Sequence, residues 1–136
     1  MNNDRRPFGI IADMKENALE VKSKAFALRI IKLYKFLKGK HEDVMSKQVL
    51  RCGTSIGANV AEGIFAQSAD DFISKNSIAL KEARETFYWL DLLISAGYLP
   101  ESESTTTLLA ECKELIAILV ASVKTAKSRR DKMKSE

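Results

Sequence analysis

The chain has 136 residues, 46% of them hydrophobic and 29% charged, with a net charge of +4, two cysteines and one histidine. That length suits one domain able to bury a core unaided, and Cys52 and Cys112 are too few for a disulfide framework. The start MNNDRRPFG leads into no long apolar run, and the longest apolar stretch, Leu115 to Val123, is far short of the ~20 residues that span a bilayer, so a cytoplasmic domain with neither leader nor membrane span is expected.

The only prolines are Pro7 and Pro100, so everything between them is free to be helical. From about Asp13 to Leu37, the residues Leu19, Phe26, Ile30, Leu33 and Leu37 recur on one helical stripe. Gly39 follows as the expected stop. A second helix is predicted from about Asp43 to Ala66, with Met45, Val49, Cys52, Ile56 and Val60 as its apolar stripe. Ser68, followed by Asp70 and Asp71, reads as a capped start for a third helix. Its face is Phe72, Ala79, Ala83, Leu90 and Ile94, and Gly97 and Pro100 end it. The fourth starts near Ser104, carries Leu108, Cys112, Leu115, Leu119, Val123 and Ala126, and frays in the charged tail SRRDKMKSE.

These elements predict an all-α protein, an up-down-up-down antiparallel four-helix bundle with helices about 38 Å long. The expected organisation is an N-terminal arm (1–14), the bundle (15–130) and a charged tail (131–136). The first helix has a second apolar set, Val21, Ala25, Leu28 and Ile31, interleaved with Lys24, Arg29, Lys32 and Lys35. The fourth adds Leu109, Ile116, Ile118 and Val120 outside its main stripe. A lone bundle needs one broad apolar face per helix, so the excess predicts self-association.

Charge is blocked along the chain. Residues 22–51 carry a net +7, residues 62–114 a net −6 and residues 115–136 a net +4. A basic block can attract phosphates through counterion release, or complement an acidic element of the same assembly. The phosphate-contact candidates are Lys32, Lys35, Lys38, Lys40 and Lys47, with Lys124, Lys127, Arg129 and Arg130 near the C-terminus. Tyr34 and Phe36 lie among the first set and are the stacking candidates, whereas Phe26, Phe72, Phe87 and Trp89 fit packing.

The segment SKQVLRCGTSIGANVAEG places Gln48, Arg51, Ser55, Asn59 and Glu62 on one helical stripe beside the apolar one. Gly53, Gly57, Ala58 and Ala61 let another helix approach closely. Arg51 calls for a carboxylate, which Glu82 or Glu85 can supply. If that pair is buried, breaking it costs roughly 3–5 kcal/mol. The stripe reads as a polar network fixing register or assembly, with a ligand contact row as its alternative.

Catalytic constellations fail on inspection. Gly53-xxx-Gly57 lacks a preceding strand and a following Lys-Ser/Thr, so it is no phosphate loop. A di-iron bundle needs Glu-x-x-His pairs, and the single histidine, His41, lies in a loop. One histidine also removes most Ser-His and Cys-His schemes. The two cysteines fall on apolar stripes. No catalytic residue, metal ligand or cofactor is assigned.

Ser46, Gln48, Arg51, Ser55, Ile56, Asn59, Ala61, Glu62 and Gly63, then Phe72, Ala79, Glu82 and Gly97-Tyr98, form a signature. It resembles that of the small proteins encoded within intervening sequences of bacterial 23S ribosomal RNA genes, over roughly residues 15–130. Gly57 stands where that family often has proline or another small residue, and the arm is longer than usual. The resemblance implies a four-helix bundle assembled as a homopentamer, with no enzymatic activity; five copies at +4 would sum to +20. That family is in turn similar to the accessory variability protein of diversity-generating retroelements, a basic pentamer that binds nucleic acid and a reverse transcriptase. The leading expectation is therefore a non-enzymatic oligomer that binds RNA or DNA nonspecifically, and the competing one is a structural or adaptor scaffold that binds neither.

Overall fold

The computed structural model describes residues 14–135, which form α1 (Met14–Gly39), α2 (Met45–Ile64), α3 (Ala69–Ser95) and α4 (Glu103–Lys134). Each helix packs on the next in sequence, and α1 closes the ring on α4, giving the expected bundle. The expected arm at 1–14, with Pro7, lies outside the described residues except for Met14, which opens α1.

The predicted stripes form the core. Leu19, Phe26, Ile30, Leu33 and Leu37 of α1 pack with Val49, Ile56 and Val60 of α2, Ala79, Ala83 and Leu90 of α3, and Leu108, Cys112, Leu115 and Leu119 of α4. On α3 the buried face is wider than the apolar pattern: Ile73, Asn76, Thr86 and Leu93 are also buried, while Phe72 and Ile94 are only half-buried. Asn76 and Thr86 break the hydrophobic periodicity yet fit inside because they are satisfied. Asn76 Nδ2 donates to Ser122 Oγ at 2.9 Å, and Thr86 Oγ1 donates to the Glu82 carbonyl at 2.7 Å. At the α1–α2 seam, a Cβ on Gly53 would lie 2.8 Å from Ile30 Cγ1, so that glycine is a packing requirement.

The helix ends depart from the sequence reading in three places. Gly39 is the last helical residue of α1, and the left-handed position belongs to His41 at φ 62°. The His41 N–H donates to the Lys38 carbonyl at 3.0 Å and the Glu42 N–H to the Leu37 carbonyl at 2.9 Å, a Schellman closure on a non-glycine residue. The end of α3 makes the same closure on Gly97 (φ 83°), as predicted. α2 begins at Met45 rather than at about Asp43, whose carboxylate pairs with Lys38 Nζ at 2.7 Å. The buried Glu42 holds this helix start, accepting from the N–H groups of Val44 at 3.2 Å, Met45 at 3.0 Å and Ser46 at 2.6 Å. α3 and α4 take ordinary serine caps: Ser68 Oγ accepts from the Asp71 N–H at 3.0 Å and Ser102 Oγ from the Thr105 N–H at 3.2 Å.

The third departure is at the C-terminus. α4 stays helical to Lys134 rather than fraying after 130. Arg130 ties this turn down through Asp70 at 3.0 Å, and Lys132 and Lys134 sit where the helix dipole favours cations.

Candidate nucleic-acid interface

The polar stripe of α2 faces α3. Arg51 lies between Glu82, at 3.3 Å, and Glu85, and Glu85 also accepts from Trp89 Nε1 at 3.1 Å. One turn along, Ser55 Oγ donates to the Arg51 carbonyl at 2.6 Å and Asn59 Nδ2 to the Ser55 carbonyl at 2.9 Å. Glu62 closes the row on Lys75 at 3.1 Å, while Gln48 is exposed. Partial burial works against the Arg51 charge, but Glu85 and Glu82 outweigh it and raise the Arg51 pKa. Arg51 and Glu62 bridge α2 to α3 while Ser55 and Asn59 bond to the carbonyls of α2 itself, and the Arg51 ion pair is half-exposed rather than buried.

Three cations of the +7 block are absorbed the same way. Lys22 pairs with Glu114 and Arg29 with Glu111 across the α1–α4 seam, and Arg51 takes Glu82 and Glu85. Arg29 Nη2 also donates to the Ser104 carbonyl at 2.9 Å. Among the phosphate candidates, Lys38 is held by Asp43, and its pKa is raised by that hydrogen bond. Arg130 is similarly held by Asp70 and Asp131.

Lys32, Lys35, Lys40, Lys47, Lys124, Lys127 and Arg129 are exposed, and none of them forms an ion pair with the described residues. They do not make one patch. α4 runs antiparallel to α1, with Glu114 beside Lys22, so Lys35 and Lys127 lie roughly 40 Å apart along the bundle axis. The first set, Lys32 to Lys47, gathers on the outer side of α1 and at its turn into α2. The second set is on the last turns of α4, at the other end.

Of the second apolar set of α1, Val21, Ala25 and Leu28 face outward, and Ile31 is half-buried. Val21 is 68% and Leu28 55% exposed, with Ala25 and the exposed Lys24, Lys32 and Lys35 around them. The extra set on α4 is mostly tucked in: Leu109, Ile116 and Ile118 are half-buried against the core and only Val120 is exposed.

Between the C-terminal half of α1 and the start of α4 runs a groove of about 510 Å³. Leu33, Phe36, Leu99 and Leu108 give it an apolar lining, Arg29 and Lys32 lie on the α1 side, and Ser102, Ser104 and Thr105 on the other. Phe36 is 43% exposed, and Lys40 Nζ stands 5.6 Å from its ring centroid. The groove was not legible in the sequence, because Leu99 and Pro100 reach it from a connection. Of the two stacking candidates, Phe36 lines it and Tyr34 does not.

Both cysteines are buried with free thiols. Burial pushes Cys52 up to about 11 and Cys112 up to about 12. No group of three or more metal-ligating side chains is found among the described residues, and no helix there is long and apolar enough to cross a membrane.

Residues 15–121 match the family described as 23S rRNA-intervening sequence protein. Among solved structures, the chain is similar to a protein of unknown function from the S23 ribosomal protein family of Bacteroides thetaiotaomicron. The two are 50% identical, with a TM-score of 0.78 over 81% of this chain and 98% of that one. No curated protein matches the chain.

Proposed function

The chain belongs to the 23S rRNA-intervening sequence protein family, and from that premise we propose that it is a non-enzymatic, self-associating bundle that holds RNA or DNA by its phosphates. A homopentamer is the favoured assembly. The observation that carries this reading is the division of the basic residues. Lys22, Arg29 and Arg51 are spent on seams, while Lys32 and Lys35 on α1, Lys40 in the turn and Lys47 on α2 are exposed and form no ion pair with the described residues. Flexible lysines without base-reading geometry suit backbone contact rather than sequence readout.

The test is native mass measurement, followed by binding to a labelled duplex at two salt concentrations. Four phosphate contacts would cost roughly 10²-fold in affinity between about 50 and 200 mM salt. Replacing Lys32, Lys35 and Lys47 with glutamine should weaken binding and flatten that slope. Absence of binding at low salt, or binding indifferent to salt, would overturn the proposal.

A second reading rests on the exposed Val21 and Leu28 among lysines. In it, this face of α1 meets an acidic-apolar protein surface, on another copy or on a partner such as a reverse transcriptase, and nucleic acid plays no part. Lys24→Glu with Leu28→Asp should then abolish assembly or partner capture, while the oligonucleotide assay stays blank for every variant.

A further inference from the structure

We propose that the α1–α4 groove seats one unpaired nucleotide, so that the protein prefers single-stranded over duplex nucleic acid. This rests on the phosphate-binding reading and gives it a location. The argument begins with Phe36. Its ring is 43% exposed and lines the groove, whereas the other exposed large apolar residues of α1, Val21 and Leu28, do not. Its neighbours indicate what chemistry fits. Lys32 is one helical turn before it and Lys40 one turn after, on the same side of α1, with Lys40 already 5.6 Å from the ring centroid. Lys40 stands over the ring, so a stacking base takes the place of its ammonium, which then swings to the flanking phosphate while Lys32 meets the other.

The groove supplies the remainder. Its volume, about 510 Å³, is within the range of small-molecule sites. Leu33, Leu99 and Leu108 offer apolar contact to the face of the base or to the sugar ring, and the Thr105 hydroxyl, which accepts from Ser102 Oγ, has its own hydrogen left to donate to sugar or base. Arg29 does not serve as a phosphate ligand here. Its guanidinium is committed to Glu111 and to the Ser104 carbonyl, and it acts as a strut fixing the groove's width. A duplex keeps its bases stacked inside and cannot place one on Phe36, so the preference for single strands follows from the geometry.

The experiment measures fluorescence anisotropy of labelled oligo-U and oligo-dT, each about 12 nucleotides long, and of a duplex, at low salt. The proteins are wild type, Phe36→Leu and Phe36→Trp. The expected result is tighter binding of the single strands by wild type and about a tenfold loss on Phe36→Leu, with duplex affinity unchanged. Phe36→Trp should retain binding, and single strands should quench the new indole. Phe36 is on the rim, so Leu keeps the apolar contact and the fold; matching melting curves verify this. If duplex and single strands bind equally and Phe36→Leu changes neither, the groove proposal falls and the phosphate-binding reading stands. If no nucleic acid binds at low salt, both fall. If Phe36→Leu lowers only the native mass, the proposal falls and the groove belongs to a second copy of the chain.

Discussion

Replacing Glu42 with alanine tests the way the first turn of α2 is held. The carboxylate is buried and accepts three backbone N–H groups that no intrahelical carbonyl can reach. Burial alone would raise its pKa. The N–H donors of Met45, Ser46 and Val44, with the Ser46 hydroxyl, outweigh that and hold it below its ordinary 4.5. Losing a cap costs about 0.5–2 kcal/mol, and stranding a buried donor such as the Ser46 N–H adds to it, so a loss of about 2–3 kcal/mol is expected. For a chain of this size that is a fall in melting temperature of roughly 6–12 °C. The pH dependence has a definite sign. A depressed carboxylate stabilises the fold above its unfolded pKa and loses that contribution as pH falls through the folded value. The gap between wild type and Glu42→Ala should therefore be full at about pH 7 and narrow below 4.5. Thermal melts followed by circular dichroism at several pH values decide it. A variant melting with wild type at neutral pH, or a gap that does not change on acidification, would refute the cap.

Three further outcomes follow from the seams. Arg51→Ala should cost about 1 kcal/mol, well short of a buried pair, because the Arg51 side chain is 50% exposed and water replaces much of what is lost; a loss above about 3 kcal/mol in denaturant melts would contradict this. Gly53→Ala should destabilise by roughly 1–3 kcal/mol, since its Cβ would lie 2.8 Å from stiff Ile30, whereas at Gly57 the nearest contact is an ordinary 3.4 Å and helix propensity makes alanine neutral or stabilising. With thiol pKa values near 11 and 12, Cys52 and Cys112 should resist a thiol reagent in the native protein at about pH 8 and react on unfolding; prompt native labelling would contradict their burial.

The bundle was legible because it depends on long, simple periodicity. Leu19 through Leu37 on α1, and Leu108 through Val123 on α4, are spaced as a buried helical face must be, and Ser68 and Gly97 mark the two ends of α3 by local chemistry, whereas the Ser102 cap of α4 lies two residues before the expected start. What was not legible depends on groups brought together from a distance. Asn76 looks like an error in an apolar stripe until Ser122, 46 residues away, completes its hydrogen bond. Glu42 reads only as one of two acids in a basic block, and the turn through His41 brings it onto the first N–H groups of α2. Arg51 was matched to Glu82 and Glu85 by chemistry alone, yet periodicity could not say that the pair is half-exposed. The two basic sets read as one tendency toward phosphates, and antiparallel packing puts them at opposite ends.

That placement separates the salt response of the fold from that of the surface. The ion pairs Lys22–Glu114, Arg29–Glu111 and Arg51–Glu85 lie in seams between helices already held by the apolar core, and all are partly exposed. Each is worth at most about 1 kcal/mol, and salt removes only part of it. The exposed lysines have the opposite standing: they contribute nothing to the core, and any phosphate they hold is lost steeply as counterions compete. Raising salt from about 50 to 200 mM should therefore move the melting temperature by only a few degrees while nucleic-acid affinity falls roughly 10²-fold. Parallel melts and binding titrations on the same samples make the comparison. If melting and binding fall together, the cations counted as free are holding the bundle or its assembly, and the division between seam and surface charge is wrong.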